Sequence, residues 1–145
     1  MFEFGNQKMR CYEVKWDIPA KEYFQSLGIE HVSLDLNGKD GALKRNILDP
    51  VDDLGEFDVV TNFGSSEHID PESQPKVFEH LHQLCKTGGY MIHHVPEVGS
   101  WKGHGKYYYT VDFFRHLPGE IVWLEARRLQ DHKNNVNIEC ILRKQ

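Results

Sequence analysis

The stretch Phe57-Asp58-Val59-Val60-Thr61-Asn62-Phe63-Gly64-Ser65-Ser66-Glu67-His68-Ile69, answered by Lys86-Thr87-Gly88-Gly89-Tyr90-Met91-Ile92-His93-His94-Val95-Pro96, decides the fold. Each half is an apolar run that stops at a polar loop. Between them Val77, Phe78, Leu81, Leu84 and Cys85 recur at helical spacing behind Asp70-Pro71, a helix start. Gly88-Gly89 then turns the chain into the second run. Strand, amphipathic helix and strand make one βαβ unit, whose two strand ends open toward a single crevice. In open α/β sheets, ligands bind in that carboxyl-end crevice.

Working outward, Met1-Phe2-Glu3-Phe4-Gly5 reads as a short strand, so the chain starts inside the sheet. Asp17-Ile18-Pro19 predicts a helix with Asp17 as its cap, carried on by Ala20, Tyr23, Phe24 and Leu27 until Gly28. His31 to Leu36 alternates and ends at Asn37-Gly38, a second strand with Asp35 at its tip. Ala42 to Ile47 is a weak third strand, Phe57 to Thr61 the fourth and Tyr90 to His94 the fifth. The apolar character of the fourth suits a strand covered by helices on both faces. Pro96 to Tyr109 is long and irregular, as functional loops are, and Trp101, Tyr107, Tyr108 and Tyr109 argue against disorder there. Thr110 caps a short helix through Phe113, Phe114 and Leu117, stopped by Pro118-Gly119. Glu120 to Leu129 and Val136 to Arg143 pair as a final hairpin across the polar turn 131–135.

With 145 residues, 1–145 make one domain with one core. The 17 basic against 22 acidic side chains lack the footprint of a phosphate-backbone binder, so nucleic acid is not expected as a partner. Cys11, Cys85 and Cys140 show no paired spacing and read as free thiols in a reducing compartment. No run approaches the roughly 18 apolar residues of a membrane span, and residues 1–9 show no basic segment followed by an apolar run; a soluble cytoplasmic protein is expected, with no membrane partner.

The order Phe57-Asp58-Val59-Val60 before Asn62, then Glu67-His68, a helix, Thr87-Gly88-Gly89 and an apolar strand, resembles the central half of the class I S-adenosylmethionine-dependent methyltransferases. The resemblance extends over essentially the whole chain. It implies an α/β, Rossmann-like three-layer αβα sandwich, with a mostly parallel seven-stranded sheet of order 3-2-1-4-5-7-6 and a terminal antiparallel hairpin. It also implies S-adenosylmethionine as cofactor and methyl transfer to a small polar acceptor such as a sugar or other metabolite.

Glu3-Phe4-Gly5-Asn6-Gln7 resembles the family's first motif, with Gln7 where a second glycine is usual. Gly5 lets the chain approach the cofactor without a side chain. Asp35 can accept two hydrogen bonds from a ribose diol, with Leu36 beside it. Asn46 and Ile47, with Asp49 as competitor, sit where the family contacts the adenine; Asn62, Phe63 and Gly64 sit where it packs the methionine portion. His94 or His104 is expected as the base, with Glu97 as partner, because imidazole titrates near neutrality. His68 is expected to be structural. No metal is expected, since His93 and His94 point to opposite faces of a strand. Trp101 and the three tyrosines either wall the acceptor or cap the sheet.

A nicotinamide-binding protein would need Gly-x-Gly-x-x-Gly after the first strand, and no glycine follows Gly5 until Gly28. The family's helical segment before the first strand has no counterpart here. Either Lys8 to Trp16 folds over the cofactor, a homodimer covers the open pocket, or catalysis is lost and the chain is a cofactor-binding or structural remnant acting as a partner subunit. Compactness alone suggests a third option, a nucleotide-modifying enzyme of viral type.

Overall fold

The computed structural model describes residues 1–9, 17–129 and 135–145. Cys11, residues 10–16 of the suggested lid and residues 131–134 of the hairpin turn lie outside the described residues. Among the described residues the strands are β1 (Phe2–Phe4), β2 (Val32–Asp35), β3 (Leu43–Lys44), β4 (Phe57–Phe63), β5 (Cys85–Pro96), β6 (Glu120–Arg128) and β7 (Val136–Arg143). The helices are α1 (Ala20–Ser26), α2 (Gln74–Leu84) and α3 (Val111–Arg115).

The strands form one sheet of order β3-β2-β1-β4-β5-β7-β6, the expected one. β3 through β5 run parallel, and β7 is antiparallel to both β5 and β6. The order moves left from β1 to β2 and right from β4 to β5. Right-handed crossovers therefore put α1 on one face and α2 on the other.

Alternation along β5 and β7 separates two environments. Met91, His93 and Val95 face Ile138, Cys140 and Leu142, all buried under α2 and α3. Phe78 of α2 and Phe114 of α3 close over His93, with ring centroids 5.2 and 5.4 Å away. Tyr90, Ile92 and His94 look the other way, beside Ile141 and Glu139. Among the described residues that side stays open: Tyr90 and Trp123 are exposed large aromatic side chains on it.

Three local expectations are corrected. Asp17 does not cap α1: it is exposed at φ 83°, Pro19 holds the cap position, and the Ala20 N–H donates to the Gln7 carbonyl at 2.8 Å. The third strand shrinks to two residues because Asn46 Oδ1 accepts from the Leu48 N–H at 3.0 Å and turns the chain away. The fourth strand continues through Asn62 to Phe63, since both pair with β5, at His93 and His94. Thr110 caps α3 as expected, its side chain accepting from the Phe113 N–H. No described helix is long and apolar enough to cross a membrane. Cys85 and Cys140 are buried free thiols.

Candidate active site

After β4 the chain makes a tight 3₁₀ turn, Ser66–His68, that is locked from below. Asn62 Nδ2 donates to Ser66 Oγ at 2.8 Å, while Asn62 Oδ1 accepts from the Ser66 N–H at 3.2 Å. Gln74 Nε2 donates to the Ser66 and Ile69 carbonyls, so its Oε1 faces the Tyr109 hydroxyl at 2.7 Å. An amide oxygen only accepts, so Tyr109 donates to Gln74 and receives the proton of Ser66 Oγ, also at 2.7 Å. Burial pushes the Tyr109 phenol well above its ordinary range.

This buried network aims Glu67 at the aromatic loop. Glu67 is 1% exposed, and its Oε1 lies 3.4 Å from His104 Nε2 and 3.9 Å from His68 Nε2. Burial raises the Glu67 carboxyl, with the two imidazoles pulling the other way. The loop is docked by its backbone: the Lys106 and Tyr107 N–H groups both donate to the Glu67 carbonyl, at 2.7 and 3.0 Å. The Tyr108 hydroxyl accepts from the His104 and Gly105 N–H groups and donates to the Trp101 carbonyl. Tyr107 packs on Tyr109 and Phe113. The tyrosine run therefore builds the loop, and Trp101 alone of the four aromatics faces the cavity.

A cavity of about 830 Å³ opens between this loop and the bare face of β5, β7 and β6. Phe63, Gly64, Glu67, His94, Trp101, His104, Trp123, Arg127 and Glu139 contribute to its walls. His94 stands at its centre of chemistry. Trp101 Nε1 donates to Asn137 Oδ1 at 2.6 Å, which fixes that amide, so Asn137 Nδ2 points at His94 Nε2 from 2.9 Å. An N–H facing that nitrogen favours the neutral ring. Burial lowers the His94 pKa; Glu139, 3.8 Å from Nε2, opposes that and Arg127 adds to it.

The structure separates Glu97 from His94 but not from His104. His94 and His104 share the cavity, while Glu97 lines a second one, of about 680 Å³, which His104 and Trp101 also border. The carboxylates beside the two histidines are Glu139 and Glu67. Sequence reasoning missed both as site residues; Glu67 stood in the quoted Glu67-His68 pair, but its burial was not visible there.

On the cofactor side, Asp35 at the tip of β2 is half-buried, and its Oδ1 accepts from the Asn37 N–H at 2.9 Å. A carboxylate retains acceptor capacity after one such bond, which suits a ribose diol. Leu36 beside it is exposed, an apolar shelf of the kind an adenine ring needs. Asn6 Nδ2 donates to Asn37 Oδ1 at 3.1 Å and ties the tips of β1 and β2 together. Gly64, at φ 66°, donates its N–H to the His94 carbonyl. These groups fit S-adenosylmethionine.

Five of the expected cofactor residues are placed differently. The Asn62 side chain is fully buried and spent on Ser66, so it does not face the crevice. Glu3 is buried in β1, between β2 and β4, with its Oε2 3.6 Å from His31 Nε2; burial drives both toward neutrality, Glu3 up to about 7 and His31 down to about 4. The clearance at Gly5, φ 100°, is filled by Ser65, whose Oγ would collide with a Cβ there. Asn46 Oδ1 is committed to Leu48, and Ile47 is buried with its carbonyl on His80 Nδ1 at 2.6 Å.

The profile of a family described as "Methyltransferase domain" matches residues 11–138. No curated protein matches the chain by sequence. Among solved structures it is similar to the 1,6-didemethyltoxoflavin-N1-methyltransferase of Burkholderia thailandensis, solved with 1,6-didemethyltoxoflavin and S-adenosylhomocysteine. That match has TM-score 0.68 and 15% identity, and covers 99% of this chain and 71% of the other. The N-methyltransferase NodS of Bradyrhizobium japonicum WM9, in complex with S-adenosylhomocysteine, gives TM-score 0.72 at 11% identity over 99% and 76%. A SAM-dependent methyltransferase of Methanosarcina mazei gives 0.67 at 12% identity over 99% and 91%. With that profile on most of its length and that strand order in its sheet, the chain belongs to the methyltransferase-domain family, of the class I S-adenosylmethionine-dependent kind.

Proposed function

We propose that this domain transfers a methyl group from S-adenosylmethionine to a small polar acceptor, such as a sugar or other metabolite, held in the cavity beside His94. The observation that carries the reading is a neutral, half-buried imidazole opening into a cavity of about 830 Å³ at the carboxyl ends of β4 and β5. That volume is in the range of small-molecule sites. The cofactor supplies an electrophilic methyl on a sulfonium. Asp35 accepts from the ribose hydroxyls, Leu36 covers the adenine, and Gly64 gives the chain close passage.

His94 accepts the acceptor's proton once a hydroxyl or amine replaces the Asn137 amide at Nε2. Glu139 then stabilises the imidazolium, and Phe63, Trp101 and Trp123 limit water. Much of the rate comes from holding the acceptor in line. The acidic net charge suits small polar acceptors better than nucleic acid, and the free buried thiols fit a cytoplasmic location. A homodimer over this sheet face fits the exposed Tyr90 and Trp123.

A second reading, cofactor binding without turnover, is favoured by one observation: Ser65 occupies the clearance at Gly5. Calorimetric titration with S-adenosylmethionine, S-adenosylhomocysteine and NAD tests both. Micromolar binding of the sulfur cofactors but not NAD supports the pocket, and an acceptor screen with labelled methyl separates turnover from binding alone. No binding at millimolar ligand overturns both.

A further inference from the structure

We propose that Glu67, His68 and His104 form a binding site for a divalent transition-metal ion of the zinc class. Among the described residues, these three bring one ligand atom each to within 4.8 Å of one another. Tetrahedral sites with bonds of about 2.0–2.1 Å hold their ligand atoms about 3.4 Å apart. The Glu67 Oε1 to His104 Nε2 edge already has that length, at 3.4 Å, and the Glu67 to His68 edge is 3.9 Å. His68 is exposed and free to close the remainder by side-chain rotation.

A second observation points to a ligand. Glu67 is 1% exposed, and its Oε2 has no hydrogen-bond partner among the described residues. Leaving a carboxylate oxygen buried and unpaired is costly. A cation chelated by both carboxylate oxygens, with the imidazoles on its other side, removes that cost, and two imidazoles with one carboxylate suit zinc, nickel, cobalt or iron.

The arrangement is held in place before any ion arrives. His104 is fixed by its backbone bond to the Tyr108 hydroxyl, and Gly105 lies against Glu67 with no room for a side chain. Glu67 and His104 also line the large cavity, so an ion with three protein ligands keeps its open position toward that space, as catalytic rather than structural sites do. An oxygen or nitrogen of a small molecule in the cavity would complete it. The expectation of no metal rested on His93 and His94; the tertiary fold pairs His104 with His68 instead, at a ring separation of 5.0 Å.

The test uses the tag-free full chain and cobalt(II), followed by visible d–d absorption and by quenching of Trp101, whose ring lies 5.1 Å from His104. The expected result is one equivalent bound at micromolar concentration. His68→Ala and His104→Ala should each weaken binding by about tenfold or more, while His116→Ala, outside the cluster, leaves it unchanged. Gly105→Ala keeps all three ligands but displaces His104 and should weaken binding too. Circular dichroism shows that each variant remains folded. Absence of saturable binding at millimolar cobalt, or undiminished binding in the His68→Ala/His104→Ala double variant, overturns the proposal. Because the readout is metal binding alone, it stands apart from whether methyl transfer occurs.

Discussion

Gly105 lies against Glu67 so closely that a Cβ at position 105 would sit 2.8 Å from the Glu67 carbonyl oxygen and 2.9 Å from its Cγ. That contact docks the aromatic loop on the turn after β4, and with it His104 on Glu67. Gly105→Ala must push backbone against backbone, since the obstructing atom is not the end of a flexible side chain. It should lose about 1–3 kcal/mol, read as a lower midpoint in urea unfolding.

Tyr109→Phe keeps the ring and deletes the hydroxyl that links Gln74 to Ser66. Both partners are buried, so the variant leaves an amide oxygen without its donor and a hydroxyl without its acceptor. A loss of about 1–3 kcal/mol is expected, against little change for Tyr90→Phe, whose ring is exposed. Thermal unfolding of the two variants side by side checks the contrast.

Asp35→Ala should weaken S-adenosylmethionine binding at least about tenfold, the equivalent of about 1.4 kcal/mol. Calorimetry with unchanged affinity would place the ribose elsewhere.

The pH dependence of methyl transfer should carry an acid limb from His94 below the ordinary histidine pKa, because burial lowers it. Glu139 raises that pKa and Arg127 lowers it, so Glu139→Gln should move the limb to lower pH and Arg127→Ala to higher pH. Profiles of kcat/KM for the three proteins, shifting in opposite directions, identify the base.

Acid stability should report His93, buried under Phe78 and Phe114, with its pKa lowered to about 3 by burial. Between its unfolded pKa near 6.5 and that folded value, the unfolded chain binds a proton that the native ring refuses. Stability therefore falls as pH drops from about 6.5, by about 1.4 kcal/mol per pH unit from this group. Glu3 works the other way. Its raised folded pKa adds stability that is fully present below pH 4.5 and is lost as pH rises toward about 7. His93→Phe should flatten the acid slope of urea-unfolding free energy between pH 6 and 4; an unchanged slope would assign it to other groups.

Resemblance to the class I methyltransferases supplied the strand order, and the sequence by itself determined the βαβ unit, the capped α3 and the closing hairpin. Those follow from local signals: runs of apolar residues, helical spacing on α2, and glycine or proline at the ends. It also put Asp35, His94 and His104 at the carboxyl edge, because a strand's end in sequence is its end in space. Tertiary structure alone decided the partners. Glu97 follows His94 closely in the chain yet faces another cavity, while Glu139 reaches His94 by antiparallel pairing of β5 with β7. Glu67 and His104 meet only because a glycine lets the loop dock on a turn that a buried Asn62, Ser66, Gln74 and Tyr109 network holds rigid. Periodicity records which side of an element is apolar; it carries no term for two polar groups brought together from distant segments, and the energy of a buried carboxylate exists only once the fold has closed around it.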